Sequence, residues 1–144
     1  MNKMNKILIV NANYYKIISK NLVLGAKKSL LKTNFKASIL DVPGVYEVPI
    51  AIRKNINKYQ GFVVLGCVIK GQTPHFDFIC SSTFNIILNL SINYNKPIGN
   101  GIITALNMKQ ALKRCNISIT ERHNKGSEAA NAVVSILKNE PKKI

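Results

Sequence analysis

Apolar positions along the chain fall into four short runs separated by longer stretches of helical spacing. Lys6 to Asn11 carries Ile7-Leu8-Ile9-Val10 between polar residues, long enough for a buried strand and too short for a helix. Phe35 to Val42 alternates, with Phe35, Ala37 and Ile39 interleaved by Lys36 and Ser38. Phe62-Val63-Val64-Leu65 continues through Gly66 to Ile69, and Ile98 to Thr104 forms the fourth run. Between and after these runs, Lys16–Lys32, Glu47–Tyr59, Pro74–Asn93, Met108–Cys115 and Ser127–Lys138 repeat apolar residues at helical spacing. The predicted order is β-α-β-α-β-α-β-α-α.

Strands joined through helix-length segments cannot pair as tight hairpins, and right-handed crossovers make such a sheet parallel. The expected fold class is therefore α/β, a three-layer sandwich with a four-stranded parallel sheet and helices on both faces. Long apolar strands with little alternation agree with a sheet covered on both sides. Ligands of such sheets bind outside the carboxyl ends of the strands. That rule singles out Asn11–Tyr15, Val42–Glu47, Gly66–His75 and the segment after Ile103.

Composition narrows the class. The 144 residues are the size of one domain, 1–144, and 47% hydrophobic against 19% charged residues excludes a disordered chain. The longest apolar and glycine run, Gly61 to Ile69, is far short of the roughly 20 residues that span a bilayer. Lys3 and Lys6 precede an apolar run, but Asn11 ends it before a secretory core is reached, so the chain is expected to stay in the cytoplasm. Lys+Arg of 21 against Asp+Glu of 6 gives +15. The lysines are scattered, and arginine occurs only at 53, 114 and 122, so the charge fits compositional drift and attraction of small anions better than a nucleic-acid partner. Cys67, Cys80 and Cys115 are odd in number and lack C-x-x-C spacing. They read as reduced structural thiols, with no metal site.

The third strand end carries the most chemistry. In Leu65-Gly66-Cys67-Val68-Ile69-Lys70-Gly71-Gln72-Thr73-Pro74-His75 a strand turns through Gly71 into a helix, with Thr73 expected as N-cap and Pro74 as the first helical residue. Free N–H groups there suit a phosphate, and Lys70 adds charge. His75, on the same first turn, can accept or relay a proton. The second strand end, Val42-Pro43-Gly44-Val45-Tyr46-Glu47-Val48-Pro49, is a turn that presents Tyr46, near the aromatic pair Tyr14-Tyr15 after the first strand. Such rings can sandwich a flat heterocycle. His123, in Glu121-Arg122-His123-Asn124-Lys125, reads as part of a solvated charged loop.

Four ordered motifs, Pro-Gly-Val-Tyr-Glu-Val-Pro at 43–49, Leu-Gly-Cys-Val-Ile-Lys-Gly-Gln-Thr-Pro-His-Phe-Asp at 65–77, Gly-Asn-Gly-Ile-Ile-Thr at 99–104 and Asn-Lys-Gly-Ser-Glu-Ala-Ala at 124–130, closely resemble the 6,7-dimethyl-8-ribityllumazine synthase family over nearly the whole chain. The resemblance implies a flavodoxin-like subunit that condenses 5-amino-6-(D-ribitylamino)uracil with 3,4-dihydroxy-2-butanone 4-phosphate, giving the lumazine, phosphate and water, with no cofactor. It implies that Tyr14 stacks on the pyrimidine and that Val45, Tyr46 and Glu47 hold the ring and ribityl chain, Glu47 accepting a hydroxyl. The backbone of Cys67, Val68 and Ile69 would read the pyrimidine edge, Gln72, Thr73 and Arg114 would bind phosphate, and His75 would move the proton. Lys125 would lie near the ribityl side, and Arg114 and Lys125 would serve the adjacent subunit's site.

Some positions depart from the family's commonest pattern. Asn13 and Lys70 replace arginines, Gln72 replaces a small residue, and Asn100 replaces a stacking Phe. The resemblance also implies a homopentamer with sites at subunit interfaces. Shell formers of that family tend to carry a short glycine-containing kink between the last two helices, whereas Cys115 to Asn124 here is longer and lacks glycine, so the resemblance implies a free pentamer, with a pair of pentamers next, over a sixty-subunit shell. Competing readings are an archaeal-type riboflavin synthase, which would lack this motif combination, and a non-catalytic flavin- or nucleic-acid-binding module. A phosphoacceptor receiver is set aside because Asp41 is the only strand-end aspartate.

Overall fold

The computed structural model describes residues 5–118 and 123–144. Lys3, and residues 119–122 of the long stretch that bore on assembly, lie outside them. The described elements are β1 (Lys6–Ala12), α1 (Lys16–Leu31), β2 (Lys36–Val42), a single 3-10 turn at Val45–Glu47, α2 (Val48–Asn55), β3 (Gly61–Ile69), α3 (His75–Tyr94), β4 (Ile98–Ala105), α4 (Met108–Lys113) and α5 (Lys125–Lys138). The sheet is four-stranded and parallel in the order β2-β1-β3-β4, with Ile9 beside Ile39 and Val63, and Val64 beside Asn100.

Alternation along the two central strands supplies both faces. Ile7 and Ile9 of β1 join Val63 and Leu65 of β3 under Ile18, Leu22 and Ala26 of α1 and Ala129, Ala130 and Val133 of α5. Leu8 and Val10 join Phe62 and Val64 on the opposite face, under Val48 and Ile52 of α2 and Ile87 of α3. The three-layer expectation therefore holds, except at β2. Every residue of that edge strand but Val42 is exposed, because no helix extends over it and Phe35, the apolar residue that packs on the core, precedes it.

Several helix boundaries differ from the sequence expectation, three of them for an identifiable local reason. The second helix ends at Asn55, short of Tyr59, because the Asn55 side chain donates to the Ala51 carbonyl (2.8 Å) and Lys96 Nζ donates to the carbonyls of Ile56 and Tyr59. The last helix starts at Lys125, earlier than Ser127, because Asn124 is its N-cap and accepts from Ser127 N at 3.0 Å. Thr73 is not the cap of the third helix. Pro74 occupies that position with ψ 5° and its carbonyl accepts from the Asp77 and Phe78 N–H groups, so Thr73 stands one residue too far out. That helix ends at Asn95, whose left-handed φ of 52° lets its N–H and that of Lys96 return to the Ile92 and Ser91 carbonyls.

Candidate active site

The carboxyl ends of β1, β2 and β3 lie side by side by their register, and a polar network ties the first two. Asn11, buried at the end of β1, donates to Asp41 Oδ1 of β2 (2.8 Å) and accepts from Ser19 Oγ of α1 (2.9 Å). This explains Asp41: it orients Asn11. The next residues present Tyr14, 71% exposed, held edge-on by Tyr15 at 5.0 Å between ring centroids. Tyr15 is half-buried against the core, and burial, with Cys67 and Tyr14 nearby, pushes its phenol up from the ordinary range.

The turn after β2 is seated by a close approach. A Cβ on Gly66 of β3 would meet Val45 Cγ2 at 3.0 Å and Ala12 Cβ at 3.1 Å, so only glycine lets Val45 pack down without displacement. With Val45 buried as the anchor, Tyr46 is left 74% exposed. Glu47 folds back toward Gly44 and its N–H donates to the Gly44 carbonyl (3.2 Å).

At the end of β3, Cys67 is buried while Val68 and Ile69 are half-buried; Lys70, Gln72, Thr73 and His75 are exposed. The N-terminus of α3 has no side-chain cap; the Asp77 and Phe78 N–H groups donate to the Pro74 carbonyl, which leaves those of His75 and Phe76 facing an anion's position. The Cys67 thiol is pushed up to about 12, chiefly by burial and then by Cys115 and Cys80, so it is a poor nucleophile. A stability effect follows. An unfolded thiol titrates near 9, so between that value and about 12 the folded state holds the proton more tightly, and stability that is full below pH 9 declines as pH rises through this window. Urea unfolding at pH 8 and pH 10 should show a smaller alkaline loss in Cys67→Ala than in the parent protein; equal losses would remove the assignment.

A separate cavity of about 480 Å³ opens between β4, α4 and α5. It brings together three of the residues singled out by sequence, Asn100, Arg114 and Lys125, and adds Phe84, Lys113, His123 and Glu128. The backbone fixes its cations in place: Lys125 N donates to Arg114 O (2.7 Å), Asn116 N to His123 O (3.0 Å), and Cys115 pairs with Asn124. Buried Asn124 also donates to Asn21 O of α1 (3.1 Å), and Gly126 admits the Leu22 carbonyl where any Cβ would collide. Lys125 Nζ lies 3.9 Å from Glu128 Oε2, leaving Lys113 and Arg114 as the excess positive charge. Asn100 Oδ1 accepts from Ile102 N (3.0 Å), so its amide NH₂ is the group left for a ligand.

His123, expected as part of a solvated loop, is exposed but also lines this cavity, as does Lys113. Their nearness to Lys125 and Arg114 in sequence was the available signal. Tyr14, Val45, Tyr46, Glu47, Cys67, Val68, Ile69, Gln72, Thr73 and His75 are not among the cavity's lining residues. One subunit thus carries two separate candidate sites, an aromatic and imidazole edge and a cationic pocket. Among the described residues no group of three or more His, Cys, Asp or Glu is placed to hold a metal ion, and no helix is long and apolar enough to cross a membrane.

A parallel sheet in the order β2-β1-β3-β4, with aromatic and imidazole groups and the N-terminus of α3 gathered at its strand ends, defines a flavodoxin-like α/β subunit. The family model described as 6,7-dimethyl-8-ribityllumazine synthase matches residues 4–140, and the chain belongs to that family. It is 38% identical over 139 residues to the 6,7-dimethyl-8-ribityllumazine synthase of Methylorubrum populi, covering 92% of this chain and 80% of the relative. The enzyme of the same name from Campylobacter jejuni is 38% identical over 137 residues, covering 92% and 87%, and that from Campylobacter fetus 36% over 142 residues, covering 95% and 89%.

Proposed function

We propose that this chain, as one domain over residues 1–144, condenses 5-amino-6-(D-ribitylamino)uracil with 3,4-dihydroxy-2-butanone 4-phosphate to 6,7-dimethyl-8-ribityllumazine, phosphate and water, acting in the cytoplasm. The ring amine attacks the ketone and water leaves as the imine forms; phosphate is then eliminated, and the second nitrogen closes the ring with loss of a second water. Every step moves protons and none moves electrons to a cofactor, so positioning, an anion clamp and one acid/base group suffice. Tyr14 stacks on the pyrimidine, Val45 and Tyr46 flank it, and Glu47 accepts a ribityl hydroxyl. The backbone of Cys67, Val68 and Ile69 reads the pyrimidine edge. Gln72 and Thr73 hold the phosphate together with Arg114 of the neighbouring subunit, whose Lys125 and Asn100 also close the site, and His75 shuttles the proton.

The observation that carries this reading is the division of the family's site residues between a sheet edge and a separate cationic cavity. A head-to-tail ring unites the first with the second of the next copy. The apolar surface of α3 supports such a ring: of its 20 residues only Thr83 and Ile87 are buried, and Phe78, Leu88 and Ile92 are 68%, 60% and 75% exposed. Mixing the protein with the two substrates should produce lumazine absorbance and fluorescence above the uncatalysed rate; none would remove the reading.

Assembly has its own test. Subunits carrying +15 repel further packing at low salt, so a free pentamer is expected, about 80 kDa from five chains of 16.0 kDa. Light scattering on a sizing column decides it. A megadalton particle, or an active monomer, contradicts the proposal.

A further inference from the structure

The outward face of α1 takes no part in the core or in either candidate site. Its inward face is made by Ile18, Leu22, Ala26 and Leu30, all buried. At about 100° per residue the centre of the opposite face falls on Leu24, with Ile17 and Leu31, each seven residues away, within about 20° of it. These three are 70%, 44% and 84% exposed for Ile17, Leu24 and Leu31, so an apolar seam about 21 Å long faces solvent.

Lysines flank the seam on both sides. Lys20 and Lys27 follow one side, Lys28 and Lys32 the other, all exposed, and α1 contains no acidic residue. A seven-residue repeat keeps a seam facing one partner helix, and charges on its flanks select the partner's sign. A lipid surface imposes no such spacing. A second copy would set lysine against lysine in a chain already at +15. With one apolar residue per heptad the contact is narrow, so it depends on the flanks.

We propose that the outer face of α1 is a docking surface for an acidic amphipathic helix of another protein, lying along Ile17, Leu24 and Leu31 with its carboxylates against the flanking lysines. This does not rest on the proposed reaction. The test uses the intact protein and three probes: a synthetic three-heptad helix with Leu at a and d and Glu at e and g, the same helix with Lys at e and g, and phosphatidylserine-containing vesicles. The acidic helix should bind, should weaken as salt is raised, and should lose affinity about tenfold or more in Leu24→Ser/Leu31→Ser. The basic helix should bind only after charge reversal by Lys20→Glu/Lys27→Glu/Lys28→Glu. Circular dichroism and lumazine formation on the same samples report whether each variant is folded, independently of docking. Equal binding of both helices, unchanged binding by the folded serine variant, or capture of vesicles without the acidic helix would overturn the proposal.

Discussion

Replacing Arg114 by alanine is expected to raise the KM for the butanone phosphate by about 10- to 150-fold while leaving that for the uracil nearly unchanged. A charge-assisted hydrogen bond is worth about 1.5–3 kcal/mol, and this range converts to that fold-change. The cavity explains why Arg114 carries the effect. Lys125 lies 3.9 Å from Glu128, which offsets part of its charge, and Lys113 offers a point charge without the planar fork that meets two phosphate oxygens. Arg114→Lys should therefore recover only part of the loss. Initial rates measured while each substrate is varied in turn decide the matter: an equal rise in both KM values would take Arg114 off the phosphate.

How much of this was legible in the sequence depended on how local the cause was. β1 and β3 were readable because their apolar runs are continuous, β4 because Ile98 and Ile102-Ile103 bracket a short Gly-Asn-Gly step, and the parallel direction followed from helix-length connections. The exposure of β2 was not readable, since Phe35-Lys36-Ala37 alternates like a half-buried strand, and only the placement of the helices over the sheet reveals that nothing covers Ile39 and Leu40. The cap of α3 was misplaced by one residue because Thr-Pro is the expected cap and N1 pair; Pro74 serves as the cap itself through its carbonyl.

The site divided in the same way. Residues at strand ends were found by a topological rule and by the motifs that carry the family resemblance. His123 and Lys113 were missed because their place in the cavity depends on a long-range clamp. Asn124 reaches 103 positions back to the Asn21 carbonyl, and backbone pairing of Cys115 with Asn124 folds the chain so that Arg114 and Lys125 meet. No periodicity announces such a contact. Its trace in the sequence is indirect: Gly25 and Gly126 stand where a Cβ would strike Asn124 and the Leu22 carbonyl.

His75→Ala is expected to slow turnover by about 10- to 100-fold, below the roughly 10²–10⁴ usual for a residue that transfers protons in the transition state. The first reason is chemical, since an amine and a ketone condense without help, and much of the acceleration must then come from holding them together. The second is structural. His75 opens α3 in an exposed position, where water can reach the proton it would move. The variant should keep both KM values near those of the parent, because the proposed stacking and phosphate contacts come from other side chains, Tyr14, Tyr46 and Arg114. Turnover measured across pH checks the role directly: the variant's profile should differ from the parent's. A loss beyond about 10⁴-fold would mean that His75 does more than relay a proton, and an unchanged pH profile would assign the proton to another group.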